Sequence, residues 1–291
     1  MLTPFSALIA SFVAGALNGA PSPLVVRAAP HVVEITGRDY SFAVPREIAA
    51  GAVTFRFSNK GSVIHEMAVA LLVKGVTPEA VIAAVNNSRS LKPMTDRSLG
   101  ILIARPHERS SAGLTTQLEP GRDYLVICRF QDGASAPLHS RMGMLGVIHV
   151  PRTPSARSAS PAAPMPLATN TIVGTNYAFD MRGAMAAGLH RFRFVNAGSV
   201  KHEMNVALLA RGTTPEQIYA AARAGVDVNR FVDEWLGLLI EPRGRSSGST
   251  LDVPLLAGRT YVLMCELSDD ERSPKHLVLG MFGVIEPSAG S

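Results

Sequence analysis

One spacing governs this chain. His65 and His202, Cys128 and Cys265, His139 and His276, and Met144 and Met281 are each 137 residues apart. The framework keeps the same offset, in Tyr40 and Tyr177, Phe55 and Phe192, Phe57 and Phe194, Asn59 and Asn196, and Gly121 and Gly258. Solenoid repeats have periods of roughly 20–50 residues, so this period is domain-sized. The chain reads as an internal duplication whose copies test one another. Both cysteines survive the shift, as do four of the eight histidines. The others, His31, His107, His149 and His190, meet Ala168, Gly244, Glu286 and Val53.

The 137-residue period implies two domains in the 291 residues, which are 47% hydrophobic and 18% charged, an ordinary globular balance. The net charge of +5 is spread over many arginines without a basic run. That pattern argues against nucleic-acid binding. Residues 1–29 begin with an apolar run of signal-peptide length followed by small residues, which implies export to the periplasm or secretion. Any membrane association would run through that segment alone. Residues 152–167 are rich in Pro, Ser and Ala and read as an extended linker. The domains are then residues 30–151 and 168–287.

Residues 30–60 alternate in short runs bounded by glycines and polar turns, as in an all-β sandwich. On the strand that follows, alternation puts His65, Met67, Val69 and Leu71 on one face and Glu66 on the other. Thr77-Pro78-Glu79 opens one short helix, copied at Thr214-Pro215-Glu216, with a capping threonine and proline at the first helical position. Gly121 and Gly258 open strands that end at the two cysteines.

Each cysteine is followed by a ten-residue loop, a histidine and, five positions later, a methionine. Thiolate, imidazole and thioether donors suit copper better than calcium or magnesium. His65 and His202 complete the two sets. A lone histidine, a buried cysteine or a methionine is more often packing than a ligand; recurrence of all four at one offset favours metal. A disulfide between Cys128 and Cys265 would need their Cα atoms within about 7 Å across two domains, so the cysteines are expected to be free. The same comparison selects Met144 over Met142, whose counterpart is Leu279; Met67 and Met204 also recur, on the His65 and His202 face, and read as core lining with an alternative thioether role in reserve.

An upstream histidine followed by Cys, loop, His and Met at the end of an all-β domain resembles the cupredoxin, or type 1 blue copper, family. The resemblance covers both halves and implies tandem Greek-key β-sandwich domains, each with one inserted helix. It implies two copper ions, one held by His65, Cys128, His139 and Met144 and the other by His202, Cys265, His276 and Met281. It departs from the family in its longer loop and in Glu66 and Glu203, where many members carry an asparagine that ties the loop to the strand. An oxygen ligand from either glutamate is the alternative, disfavoured by strand alternation.

The implied function is electron transfer to a redox protein partner through the exposed edges of His139 and His276. Pro137 and Leu138 flank one edge and Pro274 and Lys275 the other, so the docking faces should differ. A copper carrier and a structural pair without functional metal are the rival readings. Multicopper oxidases and copper nitrite reductases also chain such domains, but use additional histidines, typically a His-x-His pair, which this sequence lacks. The expectation is therefore a protein that is not an enzyme.

Overall fold

A computed structural model of the chain describes residues 29–153, 163–183 and 185–290. The expected signal segment and the middle of the expected linker lie outside the described residues.

The first half contains β1 (His31–Arg38), β2 (Ser41–Ala43), β3 (Gly51–Asn59), β4 (His65–Leu72), helix α1 (Pro78–Asn86), β5 (Thr95–Ala104), β6 (Gly113–Leu118), β7 (Arg122–Ile127) and β8 (Leu145–Val150). The same order returns as β9 (Asn170–Thr175), β10 (Ala178–Met181), β11 (Gly188–Asn196), β12 (His202–Leu209), α2 (Pro215–Arg223), β13 (Val232–Glu241), β14 (Ser249–Leu255), β15 (Tyr261–Met264) and β16 (Phe282–Ile285). The fold is all-β, with the two helices where Thr77 and Thr214 predict them. Each threonine hydroxyl caps its helix by accepting a backbone N–H, from Ala80 and Gln217 respectively.

The halves share their sheets. One eight-stranded sheet runs β10-β9-β11-β14-β6-β3-β1-β2 and the other β16-β15-β12-β13-β5-β4-β7-β8. The seams are antiparallel and centred on residues related by the sequence offset: Leu114 lies opposite Leu251, and Ile101 opposite Leu238. An approximate two-fold axis therefore passes through both seams, the arrangement of an isologous interface. A continuous core lies between the sheets and draws on both halves, including Phe55, Phe57 and Leu114 with Phe192, Phe194 and Leu251. Inside the expected linker, the Ala163 carbonyl accepts the N–H of Ala52 at 2.9 Å, fastening that part of the chain to β3.

The axis separates the two candidate sites. His65 pairs with Ala104 and His202 with Glu241, on opposite sides of the Ile101–Leu238 pair. At about 3.3 Å per residue this puts the histidines roughly 20 Å apart along the strands. They belong to two separate centres. No helix among the described residues is long and apolar enough to cross a membrane.

Candidate metal centres

A pinned turn delivers each upstream histidine. The buried Asn59 side chain donates to the carbonyls of Val63 (2.7 Å) and Ala104 (3.1 Å) and accepts the N–H of Gly61 at 2.8 Å. Asn196 repeats all three bonds with Val200, Glu241 and Gly198. Alternation along β4 then turns His65, Met67, Val69 and Leu71 into the core, while Glu66 faces outward.

At the far end, the Cys-to-Met segment is cross-tied by its own backbone. Cys128 N–H donates to the Met144 carbonyl and Met144 N–H to the His139 carbonyl, both at 3.0 Å. The His139 N–H reaches the Phe130 carbonyl at 2.8 Å. Cys265, His276 and Met281 repeat this pattern. These ties carry each loop histidine back beside its cysteine.

His65, Cys128 and His139 converge in the first half, and His202, Cys265 and His276 in the second, with their ligand atoms within 4.8 Å of one another. The Nδ1 atoms of His65 and His139 are 3.0 Å apart, and Cys128 Sγ is 3.9 Å from the first and 3.4 Å from the second. The corresponding distances in the second half are 3.0, 3.9 and 3.3 Å. All six residues are buried, and both cysteines are free. Met144 and Met281 are fully buried as well, whereas Met142 is 36% exposed.

The arrangement calls for a cation. Asp132 accepts from His139 Nε2 at 2.9 Å, so that nitrogen carries the proton and Nδ1 presents a lone pair. Asp39 does the same for His65 Nε2 at 3.4 Å. With those tautomers, the two Nδ1 lone pairs of the first half face each other across 3.0 Å beside a thiol. A bound metal ion resolves that conflict, and soft sulfur with imidazole fits copper. Burial pushes the Cys128 and Cys265 thiols up to about 12, so without metal they hold their protons. Burial also lowers His65, and takes His202 down to about 4, keeping both rings neutral and able to ligate.

The partners of the loop histidines correct one expectation. His139 and His276 present no exposed edge: they are 0% and 1% exposed, and a carboxylate covers each Nε2. Asp132 in turn accepts from the Tyr40 hydroxyl at 2.7 Å, and the Tyr40 ring meets His139 edge-on, with centroids 5.1 Å apart. Tyr177, Asp269 and His276 form the same chain, at 2.6 Å and 5.0 Å. The tyrosine hydroxyl, more than the histidine, holds each aspartate's pKa below its ordinary value. Sequence reasoning missed both aspartates, although they sit 137 residues apart like the ligands.

Glu66 and Glu203 point away from the metal donors. Glu66 Oε1 accepts the N–H of Arg129, and Glu203 Oε1 that of Glu266, each at 2.9 Å. The backbone N–H groups of Glu66 and Glu203 lie 3.5 and 3.4 Å from the cysteine sulfurs. These glutamates supply the tie between strand and cysteine loop that their position suggested an asparagine would make. Of the remaining histidines, His149 pairs with Asp123 and His190 with Asn170 and the Ala186 carbonyl, away from either centre.

No family model matches the chain, and no curated protein matches it. Among solved structures, auracyanin A, a "blue" copper protein from Chloroflexus aurantiacus, is 25% identical over 42% of this chain and 99% of its own, with a TM-score of 0.28. A multicopper oxidase is 13% identical over 88% of both chains, with a TM-score of 0.24. A copper nitrite reductase from Nitrosomonas europaea is 16% identical over 89% of this chain and 94% of its own, with a TM-score of 0.25. The structural neighbours include auracyanins, an azurin, multicopper and blue copper oxidases and copper nitrite reductases, and this chain carries two His–Cys–His groups, one in each half.

The expectation that the chain is not an enzyme is overturned here. The neighbours that span nearly the whole chain are a multicopper oxidase, a blue copper oxidase and copper nitrite reductases, which are enzymes. A missing His-x-His pair describes the ligands one chain carries, not the activity of the protein it belongs to.

Proposed function

We propose that the protein is a copper redox protein with one mononuclear type 1 centre in each half, exchanging single electrons with a redox protein partner. The supporting observation is the twofold convergence of two imidazole nitrogens and a buried thiol. His65, Cys128 and His139 would hold the first ion with Met144 as the weak axial donor; His202, Cys265, His276 and Met281 would hold the second. Bound copper would supply a one-electron couple, cupric to cuprous, and a site that hardly changes shape favours fast exchange. The chain's part is that rigidity: the cross-tied loop, the Asn59 and Asn196 turns and the glutamate ties hold the donors in place.

Each half is read as a duplicated Greek-key unit, residues 30–151 and 168–287, fused through its sheets. Export rests on the apolar run at residues 1–20. Electrons would leave past the capped histidines, through the half-buried Tyr40 and the partly exposed Tyr177 beside them. The two docking faces differ, since Pro137 and Met142 are exposed at the first while Lys275 pairs with Glu266 at 3.5 Å at the second. Storage or delivery of copper is less well supported, because both donor groups lie out of contact with solvent.

Copper loading followed by visible spectroscopy tests the reading. An intense thiolate-to-copper band that bleaches reversibly with a mild reductant is expected. Tight cuprous binding without colour would favour a carrier, and absence of copper binding would end the proposal.

A further inference from the structure

The two centres share their donors and their turns but differ beside the upstream histidine. Asp39 and Asn176 stand at equivalent places, 137 residues apart, each beside the outer nitrogen of its upstream histidine. Both hold the same turn. Asp39 accepts the Ser62 N–H through Oδ1 and the Ser62 hydroxyl through Oδ2, each at 2.8 Å. Asn176 Oδ1 accepts the Ser199 N–H at 2.7 Å and its hydroxyl at 3.0 Å. Glycine opens the space for this approach. A Cβ at Gly61 would fall 2.2 Å from Asp39 Oδ1 and 2.9 Å from His65 Nε2, and one at Gly198 would fall 2.6 Å from His202 Nε2.

The consequences for the histidines differ. His65 Nε2 has a carboxylate oxygen 3.4 Å away. His202 Nε2 is buried with no hydrogen-bond partner among the described residues. A carboxylate on the outer N–H of a ligating imidazole makes the ring a stronger donor and favours the more highly charged metal.

We propose that Asp39 against Asn176 sets the two copper centres at different potentials, the first lower than the second, so that a single electron entering the protein settles in the second half. This rests on the copper reading above. Outer-shell partners contribute roughly 10–100-fold to metal affinity. Here the contact is long and the Asp39 side chain is 40% exposed, so a smaller effect is expected. About five-fold in the partition of the electron corresponds to about 40 mV at 59 mV per tenfold for one electron. Charges beside the cysteines oppose this order, with Arg129 in the first half and Glu266 in the second. Arg129 is exposed and Glu266 is paired with Lys275, so salt screens them.

The test is a potentiometric titration of the copper-loaded full chain at high ionic strength, following the visible band, with Cys128→Ser and Cys265→Ser assigning each wave. Asp39→Asn should raise the first-half potential by about 40 mV, five-fold at 59 mV per tenfold, and Asn176→Asp should lower the second by a similar amount. The double exchange should invert their order. Asn already holds the turn at 176, so Asp39→Asn should preserve the fold. Two bound coppers whose potentials ignore both exchanges would overturn this ordering alone. Failure of either half to bind copper would overturn the ordering together with the copper reading.

Discussion

Glu203 offers a test of the site's framework that needs no metal. The side chain is buried at 6% exposure, with its carboxylate on the Glu266 N–H. Burial raises its pKa from an ordinary 4.5 to about 7. The folded state therefore prefers the protonated acid. Its contribution to stability is complete below about pH 4.5 and is lost as pH rises through about 7. At about 1.36 kcal/mol per pH unit, the loss approaches about 3 kcal/mol. Glu203→Gln keeps an oxygen for the Glu266 N–H and removes the charge. Its amide adds a cost that does not vary with pH. Urea unfolding of the metal-free protein from pH 4.5 to pH 8 should show a steeper decline in the wild type than in the variant, because the other carboxyls raised by burial, Glu66, Glu234, Glu241 and Asp252, contribute equally to both. Parallel profiles would refute the assignment of a buried, proton-holding tie.

Two further outcomes follow from the same geometry. Asp132→Ala frees His139 Nε2 and should weaken copper at the first centre by roughly 10–100-fold in a chelator competition, with Tyr40→Phe weaker in the same direction; unchanged affinity would mean the cap does not hold the ring. Because the thiols keep their protons at neutral pH, copper uptake at pH 7 should release about one proton per site, measurable by titration calorimetry in buffers of different ionisation enthalpy. Uptake without proton release would contradict the buried, protonated thiols.

The donor groups were legible because chemistry and spacing coincided at one offset, and the strands and helices because alternation and capping are local. What escaped was set by loops and by neighbours across a sheet. Tyr40 and Tyr177 adopt left-handed backbone, φ 63° and 62°, which swings their hydroxyls onto Asp132 and Asp269. Nothing in a tyrosine's local sequence announces such a conformation, which residues other than Gly, Asn, Asp and His seldom adopt. The exposed histidine edge was inferred without that cap. Alternation likewise tells which face of β5 or β6 is buried, but not that β13 and β14 lie alongside them and join the halves into shared sheets. The offset itself held more than was taken from it, since Asp132 and Asp269 repeat at the same interval, while the Asp39 and Asn176 mismatch shows where the copies part.

The most direct measurement is anomalous diffraction at the copper edge from crystals of the copper-loaded protein. One peak is expected in each half, about 2.0–2.3 Å from both histidine Nδ1 atoms and the cysteine Sγ, taking zinc–nitrogen and zinc–sulfur lengths as the guide. Copper found elsewhere, with both His–Cys–His groups empty, would contradict the account.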